Sequence, residues 1–275
     1  MNPHAARSIS PLVLLSTLKS HRGLIYNLIK REVIGRYRGS IMGLLWSFFN
    51  PVLMLTVYTF VFSVVFKARW AGGTDSKTEF ALVLFAGLMV YNLFAECINR
   101  APALVLGNVN YVKKVVFPLE IFPVVAMGSA TFHFLISLFV WLIFYLIFFG
   151  IPQATLLLFP LVLIPFFLLI LGLSWFLASL GVYLRDVSQI IGVMTSALMF
   201  LSPIFYPITA LPEEYHLLMQ ISPLTFIIEQ TRDVMIWGKE LDWNGWAIYM
   251  LLATATSWLG FAWFQKTRKG FADVL

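Results

Sequence analysis

No Asp, Glu, Lys or Arg occurs between Ile121 and Leu184. A helix of about 20 apolar residues spans the hydrocarbon core of a bilayer, which is about 30 Å thick. The uncharged stretch is long enough for two such helices, and Gly150, Ile151, Pro152 and Gln153 supply turn-forming chemistry near its middle. It therefore predicts two long membrane-spanning helices that are joined by a short loop.

The composition of the whole chain indicates the same class of protein. Of its 275 residues, 60% are hydrophobic and 12% are charged, whereas about a quarter are charged in ordinary soluble domains. The apolar segments are long and continuous, so they favour an all-α membrane protein over a β-barrel, whose strands alternate in runs of about ten residues. The net charge of +6 does not predict nucleic-acid binding, because the basic residues cluster at the ends of apolar segments, where they set topology and contact membrane lipids.

The apolar segments predict six transmembrane helices, at about 41–66, 80–100, 119–149, 154–184, 187–211 and 243–265. Short basic segments stay on the cytoplasmic side of a membrane, and Lys30, Arg31, Arg36 and Arg38 precede the first span. Both termini are therefore predicted to be cytoplasmic. A single transmembrane domain, 41–265, then lies between a cytoplasmic N-terminal region, 1–40, and a cytoplasmic tail, 266–275.

The N-terminal region carries an amphipathic pattern from Pro11 to Gly35. At 100° per residue, Leu28 and Val33 fall on one half of a helix with the other apolar side chains. This pattern predicts a helix that lies in the cytoplasmic interface. Glu32 falls on the apolar half, so the pattern is imperfect.

The segment between the fifth and sixth spans does not fit a simple loop. Tyr215 to Ile228 carries no formal charge but is too short to cross a bilayer, and an acidic amphipathic piece follows it to Asp242. Pro203 and Pro207 predict a break just before it. A pair of re-entrant helices over 213–242 is the natural interpretation, with protein or a water-filled cavity covering the backbone.

The sequence contains no catalytic or metal-binding motif. There is no GxxxxGK[ST] loop, no HExxH and no Cys/His metal spacing, and Cys97 is the single cysteine. Two groups inside the predicted spans are open to two interpretations each. Glu96 is either an ion-pair partner, for example of Arg100, or a functional carboxylate, and His133 is either packed in its neutral form, which we favour, or a proton carrier.

Several aromatic side chains lie within the predicted spans instead of at the membrane interfaces. Their rings could stack on sugar faces or lipid, or they could pack between helices and anchor at head groups. The set includes Tyr58, Tyr91, Tyr145, Phe200 and Tyr206.

Five segments carry a resemblance to a known family. They are KREVIGRYRGSIMGLLWSFFNPVLML (30–55), YVKKVVFPLEIFPV (111–124), GVYLRDV (181–187), SPIFYP (202–207) and ISPLTFIIEQTRDVMIWG (221–238). In this order they resemble the permease subunits of polysaccharide-exporting ABC transporters, the group that moves O-antigen, capsule and teichoic-acid chains. Where many relatives have Asn-Pro, this chain has Ser222 and Pro223.

The resemblance implies a homodimeric permease that pairs with two copies of a separate nucleotide-binding ATPase. The ATPase would bind ATP and Mg²⁺, so no cofactor is expected in this chain, which would not itself be an enzyme. The implied cargo is a polysaccharide linked to undecaprenyl diphosphate, most similar to O-antigen, which is exported across the bacterial inner membrane. Capsule or teichoic acid is the alternative cargo.

The resemblance also implies roles for particular residues. The loop 101–118 would couple the chain to the ATPase through Asn108, Asn110, Tyr111, Lys113 and Lys114, together with Arg185 and Asp186. Arg36 and Arg38 would attract the lipid diphosphate, although topology and contact with anionic lipid explain them equally well. The substrate channel would include Trp46, Tyr58, Tyr91, Phe200 and Tyr206. The outer gate, at 213–242, would include Pro223, Phe226, Glu229 and Arg232.

Two other classes of function remain. A membrane-embedded enzyme acting on polyprenyl-linked glycans would need a charged or metal-binding site at the interface, and none is evident in the sequence. A stand-alone channel or secondary carrier would show inverted repeats or intramembrane charge for ion coupling, and neither is clear.

Overall fold

The computed structural model of the chain describes residues 9–61, 77–113 and 117–275, and within these ranges the regular structure is entirely helical. The first helices are α1 (Pro11–Ser20), α2 (Arg22–Arg36), α3 (Trp46–Tyr58), α4 (Lys77–Arg100), α5 (Val109–Lys113) and α6 (Ile121–Phe149). The remainder are α7 (Phe159–Tyr183), α8 (Val187–Leu201), α9 (His216–Ile221), α10 (Pro223–Arg232), α11 (Trp243–Thr267) and α12 (Phe271–Val274). The all-α prediction is confirmed.

Five helical segments in the described ranges are long and apolar enough to cross a membrane. They are Gly43–Val61, Thr78–Ala103, Ile121–Phe149, Ala154–Tyr183 and Trp243–Val274. They correspond to the first, second, third, fourth and sixth predicted spans, so the chain is a multi-pass membrane protein. The last residues of the first predicted span, 62–66, lie outside the described residues.

The fifth predicted span is represented by α8, which is shorter than the predicted 187–211. Its 15 residues extend about 22 Å at 1.5 Å per residue, less than the thickness of a hydrocarbon core. The helix ends because Ser202, which precedes Pro203, is extended (φ −103°, ψ 155°), and a proline disfavours helical geometry in the residue before it. The six-span count therefore stays a prediction.

Helix α4 lies at the centre of the bundle, where it packs against α3, α6, α7, α8 and α10. Its apolar side chains are almost all buried. Two contacts illustrate the packing: the Phe94 ring stacks on Phe166 of α7, with centroids 6.4 Å apart, and Trp141 of α6 donates its indole N–H to the Leu82 carbonyl at 3.1 Å. Because neighbouring helices cover most of α4, its few exposed side chains lie on one face of the helix.

Helices α7 and α11 pack most closely, because glycines face each other across their contact. A Cβ added at Gly172 would overlap the backbone of Thr256 and Ser257, and a Cβ at Gly260 would overlap the Gly172 carbonyl. Small residues allow membrane helices to approach each other in this way.

One end of the bundle, which we call the α5 end, brings together the ends of α4, α7 and α11 with the start of α6. Its own apolar cluster contains Leu28 of α2, Val112 of α5, Phe122 of α6, Trp175 of α7 and Phe264 of α11. The predicted tail, 266–275, belongs to this end and is packed into it. The opposite end carries α9 and α10, in the segment predicted to be re-entrant, and we call it the α10 end.

Candidate functional site

A polar groove lies between α3, α4 and α6, within the predicted membrane region. Its cavity has a volume of about 280 Å³. Tyr58 and Met54 of α3 form part of its wall. The polar side chains that line it are Arg36, Tyr37, Ser47, Asn50, Asn92, His133 and Ser137. Most of these were not among the predicted site residues, and the signal that could have found them is the presence of Asn and Ser inside apolar spans.

Asn92 and Asn99 are the only residues from 78 to 100 of α4 that are exposed. They are seven positions apart and therefore share a face of the helix. Asn99 accepts a hydrogen bond from the Thr195 hydroxyl of α8 at 2.8 Å, and Asn50 is exposed on the facing helix α3. An amide directed at lipid would be costly, so this face is suited to water, a polar ligand or another protein surface.

A cluster of charged side chains joins α2 to α4 and α6 beside the groove. Arg36 contacts the Glu96 carboxylate, and Arg100 contacts Glu32. Arg100 also lies 3.6 Å from Glu96, so each carboxylate has a cation beside it. This pairing explains why Glu32 lies on the apolar half of α2. Glu96 is an ion-pair partner, which was one of the two interpretations of this residue.

His133 of α6 lies against the same cluster. Its Nδ1 is 2.9 Å from Arg36 Nη1 and 3.3 Å from Glu96 Oε1. Because this nitrogen cannot accept from Arg36 and donate to Glu96 at once, only one of the two contacts is a hydrogen bond in any single protonation state. The Tyr37 ring packs edge-on against the imidazole, with centroids 5.9 Å apart.

The two predicted entrance residues differ in their surroundings. Arg36 ends α2 and is engaged by Glu96 and His133. Arg38 follows α2 in a turn and is exposed. Only Arg36 lies at the groove.

The predicted channel aromatics divide into two groups. Tyr58 lies 6.5 Å, centroid to centroid, from Phe205, on which Phe200 stacks at 5.6 Å. Tyr206 donates its hydroxyl to the Phe200 carbonyl at 2.6 Å. The rings of Tyr58 and Phe200 converge on Phe205, which was not predicted although it lies in the SPIFYP segment.

Two further channel candidates lie apart from this aromatic group. Trp46 is exposed at the start of α3. Tyr91 is only 6% exposed and donates its hydroxyl to the Thr195 carbonyl at 2.7 Å. Its ring is enclosed between α4 and α8, and its role in the channel stays a prediction.

The predicted outer gate maps onto α10. Pro223 is its first residue, where a proline needs no donor, and Phe226 stacks on Tyr249 of α11 with centroids 5.3 Å apart. Burial raises the pKa of the Glu229 carboxyl, and the Asp233 carboxylate beside it acts in the same direction. The contact of Phe226 with Tyr249 joins α10 to α11.

Arg232 is the fourth predicted gate residue, and it is buried instead of exposed. Its Nε donates to the Val83 carbonyl at 3.0 Å, its Nη1 to Pro203 at 2.5 Å and its Nη2 to Ile204 at 2.7 Å. The guanidinium therefore joins α10 to α4 and to the segment that follows α8. Its role in the outer gate stays a prediction, and within the bundle the guanidinium is enclosed by backbone carbonyls.

The predicted coupling residues lie at the α5 end. Asn110 and Lys113 are exposed on α5, whereas Tyr111 packs against Phe117 with ring centroids 4.5 Å apart. Asn108 donates its amide N–H to the Leu104 carbonyl at 2.9 Å. Lys114 lies outside the described residues.

Arg185 and Asp186 are exposed in the turn between α7 and α8. This turn follows the end of α7, against which the loop after α4 is packed: a Cβ at Gly181 would overlap the Pro102 carbonyl. Both predicted coupling segments therefore belong to the same end of the bundle.

Together, the fold and the groove define a polytopic helical membrane protein with polar groups exposed inside apolar helices. Among the described residues, no three His, Cys, Asp or Glu side chains are grouped so that they could hold a metal ion. The family model for ABC-2 type transporters matches residues 23–236. The chain therefore belongs to the ABC-2 type transporter family, and it is a transporter membrane component.

Relatives that match over most of their length carry names in polysaccharide export. An O-antigen export system permease protein RfbA of Myxococcus xanthus is 25% identical over 95% of this chain and 99% of its own length. A protein of the same name from Klebsiella pneumoniae is 24% identical, over 94% and 98%. The polysialic acid transport protein KpsM of Escherichia coli is 21% identical, over 86% and 91%.

Proposed function

We propose that this chain is the transmembrane subunit of an ATP-driven exporter that moves a lipid-linked polysaccharide across the bacterial inner membrane. The names of its relatives support this class of cargo. Both termini would be cytoplasmic, with the α5 end facing the cytoplasm and the α10 end facing outward. The short helix α8 would complete six spans, and α9 and α10 would form the re-entrant outer gate.

The observation that carries the proposal is the exposed amide face of α4. Asn92 and Asn99 are the exposed positions from 78 to 100 of a helix whose apolar side chains are almost all buried. Amide groups can both donate to and accept from sugar hydroxyls. A row of such groups within the membrane suits a polyhydroxylated chain, which must exchange many weak hydrogen bonds as it moves.

The aromatic group around Phe205 would continue the passage toward the α10 end. The rings of Tyr58 and Phe200 pack near it, and Phe200 is 61% exposed. Ring faces stack on the C–H-rich faces of sugars and would let a polymer slide without being held tightly. Two copies of the chain would enclose the passage, since a single copy leaves α3 largely unburied.

The lipid diphosphate would enter beside α2. Arg38 is exposed and available as a charged partner, whereas a phosphate would have to compete with Glu96 for Arg36. The alternative for both residues is contact with the head groups of ordinary anionic lipids.

ATP hydrolysis would be supplied by two copies of a separate ATPase subunit, which would hold ATP and Mg²⁺. Helix α5, with Asn110 and Lys113 exposed, would dock on that subunit, and Arg185 and Asp186 would provide a second contact. We choose O-antigen as the cargo because two of the relatives above are named for it and match more of the chain than the polysialic acid transporter does. Capsule or teichoic acid is the second candidate.

The proposal is tested by co-expressing this chain with a P-loop ATPase subunit of a polysaccharide exporter. The complex, reconstituted in vesicles, should hydrolyse ATP faster when undecaprenyl-diphosphate-linked O-antigen is present and should move that glycan across the bilayer. Vesicles loaded with capsular polysaccharide or teichoic acid distinguish the cargoes. A covalent change in the glycan without an ATPase would instead identify a membrane enzyme and overturn the proposal.

A further inference from the structure

The C-terminal residues after α11 are packed into the α5 end of the bundle. Arg268 is 5% exposed and Phe271 is fully buried. The Phe271 ring lies 5.4 Å from Phe264 and 6.0 Å from Tyr183, between ring centroids. A free tail would not bury an arginine and an aromatic ring, so this segment has a structural partner.

Arg268 makes its contacts where the coupling loop ends and α6 begins. Its Nη1 lies 2.6 Å from Glu120 Oε2, and its Nη2 donates to the Phe117 carbonyl at 2.8 Å. Glu120 is 2% exposed, and its own carbonyl accepts from the Trp175 indole of α7 at 2.9 Å. One buried ion pair therefore connects the end of α11, the start of α6 and the side of α7.

The residue before Arg268 is attached to α7 by separate contacts. The Thr267 hydroxyl lies 2.6 Å from the Ser179 hydroxyl, and the Tyr183 hydroxyl donates to the Thr267 carbonyl at 2.7 Å. Beyond it, α12 packs against both α5 and α7. The segment therefore contacts helix α5 on one side and helix α7 on the other.

Val112 is the one buried side chain in the described part of α5, Val109–Lys113. It shares an apolar cluster with Phe117, Phe264 and Phe271. A displacement of α5 is transmitted to α6, α7 and α11 through the residues that pack against α5. Helix α12 packs against α5 directly, and Arg268 binds the Phe117 carbonyl beside the same apolar cluster.

We propose that the C-terminal segment Arg268–Leu275 is part of the apparatus that transmits movement from α5 to α6, α7 and α11, with Arg268 as its positioning residue. The inference rests on the proposed function, since it assumes that α5 receives movement from an ATPase. Removing Arg268 would leave Glu120 as a buried carboxylate without this partner. The start of α6 would then be held less firmly relative to α5.

The experiment compares complexes of the whole chain with its ATPase, reconstituted in vesicles, for four variants. Arg268→Met removes the ion pair, Arg268→Lys keeps the charge without the forked geometry, and Phe271→Ala loosens α12. Lys266→Met changes an exposed residue of α11 that lies outside the segment, and it is the matched control. The measured quantity is glycan exported per ATP hydrolysed, together with the amount of assembled complex.

In Arg268→Met and Phe271→Ala, we expect the complex to hydrolyse ATP while export per ATP falls by about twofold to thirtyfold, the range for side chains in a coupling network. Arg268→Lys should fall between these variants and the wild type, and Lys266→Met should match the wild type. A role in packing alone would lower the amount of complex and leave the ratio unchanged, which would overturn the inference. If Arg268→Met fails to assemble, Arg268→Lys and Phe271→Ala decide by the same ratio. A wild-type complex without ATP-dependent export would refute the proposed function instead.

Discussion

The Nε–H of Arg232 donates to the carbonyl of Val83 across 149 positions of sequence, at 3.0 Å. The two remaining arms of the guanidinium donate to Pro203 and Ile204, whose carbonyls follow the end of α8. Gly87 lies one turn beyond Val83 and leaves the room that the side chain needs. A single cation therefore connects α10 to α4 and to the segment that follows α8.

Replacing Arg232 with Met should be among the most destabilising single changes in the chain. It removes three hydrogen bonds donated by a buried, charged group, each of which is worth about 1.5–3 kcal/mol. Thermal unfolding in detergent, followed by circular dichroism, measures the loss. Lys239→Met is the control, because Lys239 is exposed and its pair with Asp233 is worth at most about 1 kcal/mol. Equal melting of the two variants would contradict this account of Arg232.

A second prediction concerns the space around the same guanidinium. A Cβ at Gly87 would lie 2.7 Å from Arg232 Nη2 and 3.3 Å from its Cζ. Gly87→Ala should therefore destabilise the protein by about 1–3 kcal/mol through overpacking, although alanine is the better helix former. Gly192→Ala, in α8, is the matched control because nothing lies within 4 Å of its added Cβ. That variant should be neutral or slightly more stable, and a Gly87→Ala protein that behaves likewise would show that Arg232 can move.

The third prediction concerns the attachment of α2. Glu96→Gln removes the carboxylate that contacts Arg36 and lies near Arg100, so α2 should detach more often from α4 and α6. The side chains are partly exposed, which limits the effect to about 1 kcal/mol. Hydrogen exchange of the peptide 22–36 should accelerate by about fivefold, the equivalent of that energy. Arg38→Gln changes an exposed charge nearby and should leave the exchange unaltered. No acceleration in Glu96→Gln would show that apolar contacts alone hold α2.

The helices were largely predictable from the sequence because a membrane segment satisfies its backbone within itself. Uncharged length therefore located Ile121–Phe149 and Ala154–Tyr183 closely. The end of α8 was harder, since apolar residues continue past the break at Ser202 and Pro203. Hydropathy does not distinguish a helix from an apolar loop.

The partners of the charged groups were not predictable, because each pair closes over a long separation in sequence. Arg232 and Arg268 were both assigned to aqueous sides by topology, yet both are buried. Nothing in the residues next to Arg232 indicates that Val83 will accept from it. Asn92 was also missed, because one amide hardly changes the mean hydropathy of a span, and only packing reveals which face it occupies.

The fourth prediction tests the amide face of α4. Asn92→Leu should reduce glycan export by about tenfold while leaving stability unchanged, because the exposed side chain loses its hydrogen bonds to sugar hydroxyls, which are worth about 1 kcal/mol each. Export is measured in vesicles that contain the assembled complex. Asn244→Leu, an exposed amide at the start of α11, is the control and should export normally. Undiminished export in Asn92→Leu would place the passage elsewhere.

The last prediction tests the docking of the ATPase. Lys113 is exposed at the end of α5, and the double charge reversal Lys113→Glu with Lys114→Glu should weaken the association, because like charges at an interface repel. We expect the Kd for the ATPase to rise by about tenfold or more and export to fall in proportion. The membrane domain should stay folded, as judged by its elution in size-exclusion chromatography and by its thermal unfolding. Lys19→Glu, an exposed reversal on α1, is the control and should bind normally. If the double variant forms the complex and exports glycan as the wild type does, α5 is not the docking helix, and the turn at Arg185 and Asp186 becomes the segment to test.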